Sequence, residues 1–127
     1  MNIPKNLMYT KSHEWIDMTG KTALVGITDY AQDSLGDIVY VNLPHVKDTF
    51  ACGEVFADIE SVKASSDIFS PVEGIVKRVN EMLEDAPEAI NEDAYEAWLV
   101  EFSEVTNHDE LLTADEYEAF LEEEAGA

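Results

Sequence analysis

"DIESVKASSDIFSP", residues 58–71, sets one lysine between two short runs with an extended pattern. Upstream, "GEVFADIE" alternates Val55, Ala57 and Ile59 against Phe56, Asp58 and Glu60. Downstream, "SDIFSPVEGIVKRV" stays extended beyond the lysine, with Pro71 and Gly74 as interruptions. Pro71 marks an edge or a bend, since proline has no N–H to give to a ladder. The connection "SVKAS" is short enough for a hairpin, and its flanking serines can bond the local backbone. Lys63 is therefore predicted at or next to a hairpin tip. Two uses of such a lysine stay open from the pattern alone: a solubilising charge on an exposed turn, or an amine presented for covalent attachment.

The same chemistry recurs on either side. "HEWID" leads into "MTGK", where Gly20 suits a turn, and "TALVGI" resumes an extended run, which reads as a second hairpin. Thr28 caps a short helix, "DYAQDSL", and Gly36 stands where helices often stop in the left-handed conformation. In "DIVYVNLP", Ile38, Tyr40 and Asn42 alternate with Val39, Val41 and Leu43; both faces are largely apolar, which predicts a strand buried between two layers. "NEMLEDAPEAINEDAYEA" reads as a loop with at most one helical turn, and "WLVEF" as another strand. Thr113 and Glu116 have capping-box spacing, and Tyr117, Phe120 and Leu121 fall on one face of a carboxyl-terminal amphipathic helix. The tail "EEEAGA" has no large apolar anchor and is expected to fray. The fold class is mainly β, with short helices and one terminal helix.

A chain of 127 residues with 46% hydrophobic composition suits a single domain, residues 1–127. No run approaches the ~18 apolar residues of a membrane span. The amino end shows neither a signal-type apolar stretch nor an Arg-rich transit segment, so a bacterial or archaeal cytoplasm is the expected location. Cys52 stands alone, which excludes an internal disulfide and a paired-cysteine metal site, and it reads as a small buried filler. His13, His45 and His108 show no metal-ligand spacing, so no metal is expected. Residues 80–127 hold 17 acids and no Lys or Arg, whereas residues 1–79 hold 11 acids and all seven basic residues. Such a surface repels nucleic-acid phosphate and anionic lipid and favours basic partner patches or plain solubility. No nucleophile elbow, phosphate loop or acid–base pair appears, so no catalytic residue is assigned.

At "ESVKASSD" the chain resembles the H proteins of the glycine cleavage system, carriers of covalently bound lipoate. "YTKSHEW", "VGITDYAQDSLGDIVYVNLP", "ESVKASSDIFSPVEGIVKRVN", "INED" and the final acidic helix carry the resemblance in order over roughly residues 7–124. It implies a barrel-sandwich hybrid fold, as in lipoyl domains, and lipoate in amide linkage on Lys63. Glu60 and Gly74 match positions recognised by the lipoate-attaching enzyme. Ser12, Glu14 and Asp67 match positions around the stored aminomethyl group, whose ammonium the two acids can hold by charge-assisted hydrogen bonds. His13 and Trp15 read as structural.

The implied role is a carrier. A pyridoxal-phosphate glycine decarboxylase loads an aminomethyl group, a tetrahydrofolate-dependent aminomethyltransferase takes the one-carbon unit, and dihydrolipoyl dehydrogenase, a flavoprotein, restores the disulfide. A tether of about ten bonds gives a reach on the order of 12 to 14 Å. The domain is expected to be a monomer and not itself an enzyme. The alternative keeps lipoate but makes the chain a lipoyl donor or redox carrier for other lipoate-dependent complexes. A biotinyl carrier, which shares the hairpin, has methionines beside its lysine where this chain has Val62 and Ala64. One departure from the H-protein pattern stands out. "AYEAW" replaces a longer stretch of the type Pro-Tyr-Gly-x-Gly-Trp, so Tyr95 and Trp98 are expected to keep packing roles on a differently shaped loop.

Overall fold

The computed structural model describes residues 2–126. Its main sheet is antiparallel and six-stranded: β1 (Met8–Tyr9), β2 (Glu14–Thr19), β3 (Thr22–Ile27), then β9 (Val100–His108), β8 (Val72–Val79) and β5 (Thr49–Phe50), in that spatial order. A three-stranded antiparallel sheet is built from β4 (Ile38–Asn42), β6 (Val55–Ser61) and β7 (Ser65–Phe69), with β6 in the centre. Four helices complete the chain: α1 (Asp29–Leu35), α2 (Met82–Asp85), α3 (Ala89–Glu92) and α4 (Ala114–Gly126). Both predicted hairpins form. Gly20 turns β2 into β3 at φ 61°, and β6 pairs with β7 through Glu60↔Ser65 and Asp58↔Asp67. Ser70 and Pro71 carry the chain from β7 to β8, out of the small sheet and into the large one, which is the bend that the proline forecast.

The core lies between the sheets. Ile16, Val25, Ile27 and Phe102 of the large sheet meet Phe56, Ile59 and Ile68 of the small one, with Phe56 and Phe102 edge to face at 5.5 Å. A second cluster joins Tyr9, Trp15, Leu112 and Tyr117, where Tyr9 and Tyr117 stack at 4.7 Å and fasten α4 to β1. Trp15 and Ile16 are consecutive yet both buried, since one face of β2 looks into each cluster. Both faces are therefore covered over residues 14–16 of β2, while Asp17, Met18 and Thr19 are exposed.

That corrects the reading of residues 38–43. A register irregularity between Ile38 and Tyr40 breaks the alternation, so Ile38 and Val41 go inward while Val39 (54%) and Tyr40 (49%) stay exposed. Three further expectations shift. Residues 80–97 hold two short helices, each a single turn, in place of at most one. The strand after Trp98 starts at Val100 and runs nine residues, because its partner β8 is long. Gly36 has the positive φ expected of it, 80°, but its ψ of −153° lies outside the left-handed helical basin. At the carboxyl end, α4 continues through the acidic tail to Gly126; Ala127 lies outside the described residues. The Thr113/Glu116 capping box closes as predicted, with reciprocal bonds of 2.9 and 3.2 Å. Cys52 is half-buried, and burial pushes its thiol pKa up, which suits an inert filler.

Candidate functional site

The lysine hairpin is held firmly at its tip. Ser61 N–H donates to Ala64 C=O at 2.7 Å, and the Ser61 hydroxyl accepts from the backbone of Lys63 and Ala64 at 3.3 and 3.1 Å. Val62 N–H reaches the Asp37 carbonyl at 3.0 Å, which ties the tip to the chain leaving α1. Lys63 is exposed, and its stem lies across the end of that helix: a Cβ added to Gly36 would sit 3.4 Å from Lys63 Cε. A side chain at position 36 would therefore press on the lysine.

Beside α1 is a cleft of about 180 Å³ with a mostly apolar lining. Ile27, Ala31, Leu35 and Ile68 supply its apolar surface, and Ser12, Ser34 and Ser66 its polar atoms. Apolar side chains and hydroxyls line it, together with the His13 and Tyr30 rings, and no carboxylate does. Residues 93–98 do not line it. The shortened loop packs elsewhere: Trp15 Nε1–H donates to Ala94 C=O at 3.1 Å, Tyr95 hydroxyl donates to Asn2 C=O, and the Arg78 guanidinium covers the Trp98 ring at 5.0 Å.

Glu14 does not line the cleft itself but adjoins Ser12 and His13, which do. It is 1% exposed, and its Oε1 accepts from the hydroxyls of Thr10 at 2.6 Å and Ser12 at 2.7 Å, while the Phe69 N–H of β7 faces it across the sheets. Residues 10–14 form a tight turn, with His13 N–H bonded to Thr10 C=O and Thr10 N–H to Glu14 C=O. His13 adopts φ 71° to make it, which brings the Thr10 and Ser12 hydroxyls to the same Glu14 oxygen. Burial raises the Glu14 carboxyl above its ordinary pKa, and the hydrogen bonds from Thr10, Ser12 and Phe69 oppose that rise.

The remaining residues expected at the site are dispersed. Asp67 is exposed on β7 opposite Asp58; the strand alternates, so Ser66 and Ile68 face the cleft and Asp67 the neighbouring surface. Glu60 is exposed on β6, three residues before Lys63. Gly74 is buried in β8 of the other sheet, where a Cβ would lie 2.9 Å from the Ser103 carbonyl and the register slips between Glu73 and Ile75. Packing alone thus demands glycine there. Sequence reasoning missed α1 as a cleft wall, although Ala31 and Leu35 have the i, i+4 spacing of one helix face.

The glycine cleavage H-protein family model matches residues 7–124. The chain belongs to this family. A glycine cleavage system H protein of Acidobacterium capsulatum is 54% identical over 128 residues, covering 99% of each chain. One of Lachnoclostridium phytofermentans is 51% identical over 125 residues, covering 98% of each. The crystal structure of a glycine cleavage system H protein from Mycobacterium marinum superposes with a TM-score of 0.88 at 39% identity, covering 98% of this chain and 100% of that one. The fold is thus the lipoyl-domain-like one that the resemblance implied, and the chain is an H-protein component of the glycine cleavage system, a lipoate-bearing carrier. Among the described residues, no helix is long and apolar enough to cross a membrane.

Proposed function

We propose that Lys63 is the lipoyl attachment point and that the domain positions and shelters the arm without itself making or breaking bonds. The observation that carries this reading is the lysine's placement. It is an exposed amine on a hydrogen-bonded hairpin tip, its stem laid against Gly36 at the end of α1, the helix that walls an apolar cleft. When bound, lipoate supplies a disulfide able to accept a carbon unit and two electrons. What the chain's own residues do is simpler. Ile27, Leu35 and Ile68 exclude water from the arm, and Ser12, which lines the cleft and donates to Glu14 at 2.7 Å, leads a positive amine to that carboxyl. A buried carboxyl with a raised pKa lacks a positive partner; an arriving ammonium provides one and returns Glu14 to the ionised form. Asp67, next to Ser66 but on the opposite face of β7, offers its carboxylate outside the cleft.

Partners follow from this assignment: glycine decarboxylase, aminomethyltransferase and dihydrolipoyl dehydrogenase each receive the arm of a monomeric cytoplasmic carrier. The lipoate-attaching enzyme reads Glu60 directly, while Gly74 acts by setting the shape of β8. Intact mass and peptide mapping after expression with lipoate test the reading. A lipoyl increment on the Lys63 peptide, absent from Lys63→Arg, is expected; the increment on any other lysine, or biotin on Lys63, would sink it.

A further inference from the structure

Thr28, the N-cap of α1, is fully buried; its hydroxyl accepts from Ala31 N–H at 3.3 Å and lies 2.8 Å from the Tyr117 hydroxyl of α4. That hydroxyl is in turn 2.8 Å from His13 Nδ1, and His13 Nε2 lies 3.5 Å from a Glu124 carboxylate oxygen. The nitrogen that faces a carboxylate carries the hydrogen, so neutral His13 is protonated on Nε2 and offers Nδ1 as an acceptor. One polarity then satisfies every group: Thr28 donates to Tyr117, and Tyr117 donates to His13. A hydroxyl that donates is a better acceptor, so Thr28 caps Ala31 well in this state. A proton on Nδ1 reverses the chain. Tyr117 must then donate to Thr28, which accepts twice, and the buried Thr28 hydrogen is left with no acceptor among the described residues.

We propose that His13, Tyr117 and Thr28 form a relay that positions α1 as the wall of the cleft, gripping the helix while His13 is neutral and loosening it when His13 is protonated. α1 gives Tyr30, Ala31, Ser34 and Leu35 to that wall, and His13 lines it as well. The ring is faced by Tyr30 from α1, at 4.6 Å between centroids, and by Tyr117, Phe120 and Glu124 from α4. Glu124 is the charged group among these; Lys11 lies beyond, over the Phe120 ring at 5.9 Å. Burial lowers the imidazole's pKa and Glu124 raises it, with burial the larger effect, so the neutral form holds near neutral pH. The link from the relay to arm seating rests on the arm reading above; the relay itself does not.

Amide hydrogen exchange by NMR on the unmodified protein tests the relay, with the His13 ring titrated in the same samples. After correction for the intrinsic pH dependence of exchange, Ala31 N–H protection is expected to fall about threefold or more on acidification, at the His13 midpoint. Glu124→Gln should move the ring and Ala31 midpoints down together. Tyr117→Phe, which keeps the stacked ring, should abolish the Ala31 step while His13 still titrates. No Ala31 step in the wild type, a step that survives Tyr117→Phe, or an Ala31 midpoint that stays put when Glu124→Gln moves the ring's would overturn the proposal. With a lipoyl group on Lys63, verified by mass, Ile68 methyl shifts should report arm seating with the same midpoint. A protein that is not acylated counts against the attachment reading and leaves the exchange result standing.

Discussion

Gly26→Ala should unfold this protein at a markedly lower temperature. Gly26 lies on β3 opposite Trp15, and a Cβ built there would stand 2.6 Å from Trp15 Cε2 and Nε1. The indole cannot yield cheaply. It is 1% exposed, packs in the cluster that anchors α4, and donates its N–H to Ala94 C=O. Forcing a methyl into such a site costs about 1–3 kcal/mol. Displacing the ring also strands a buried donor, for about 1–3 kcal/mol more. The loss of backbone freedom in the unfolded chain returns about 0.4–1 kcal/mol, so the net cost is about 3 kcal/mol. With ~2.1 cal/mol/K of unfolding entropy per residue, a chain of this length has roughly 0.27 kcal/mol/K, and Tm should fall by about 11 °C. Thermal unfolding followed by far-ultraviolet circular dichroism reads this directly, and the near-ultraviolet tryptophan signal should change in the native baseline. Gly20→Ala is the control: nothing lies within 4 Å of its added Cβ, so only the positive φ is strained. That strain costs about 1 kcal/mol. A Gly26→Ala protein within about 2 °C of wild type would refute the claim that contact with Trp15, and not strand propensity, keeps glycine there.

Lys63→Arg should fold with unchanged Tm yet carry no acyl group, because arginine keeps the cation and lacks an acylable amine; glycine turnover retained in the reconstituted system would count against the attachment site. Glu14→Ala should leave lipoylation intact and speed loss of amine from the loaded carrier, with Asp67→Ala milder since Asp67 sits on the outer surface; equal decay in wild type and Glu14→Ala removes Glu14 from the pocket. Because the folded state raises the Glu14 pKa, native protein binds that proton more tightly than unfolded protein does, and stability falls as pH rises from the unfolded value through the raised folded one. The stability of wild type relative to Glu14→Gln should therefore decline across that window and level off above it, and a difference that climbs with pH would contradict the burial argument. Thr113→Ala removes the hydroxyl that accepts from Glu116 N–H and should cost about 1 kcal/mol by chemical denaturation; no change would mean the capping box adds nothing to α4.

Local signals were readable wherever a short stretch settles its own geometry. The hairpin around Lys63, the turn at Gly20, the Thr28 cap and the Thr113/Glu116 box all depend on residues within a few positions of one another, and all form. The reading failed where burial depends on distant partners. Val39 and Tyr40 look like core, but a register irregularity against β6, tens of residues away in sequence, turns them outward. Gly74 carries no local sign that Ser103 will approach it from β9.

The chain's own order of residues determined that a lysine stands at the turn of two strands, and the motifs around it determined the family to which it belongs. Only the tertiary structure decided where that lysine leans and what waits for it. Gly36 makes room for its stem, and α1 and β7 come from separate stretches of the chain to form the cleft. A turn at His13 brings the Thr10 and Ser12 hydroxyls to one buried oxygen of Glu14. Hydrogen bonds across 89 and 104 residues join Thr28 and His13 to Tyr117. The physical reason is range. Turn and cap energies act over a few residues and are written in sequence, whereas burial and buried hydrogen bonds depend on which distant groups the folded chain brings together.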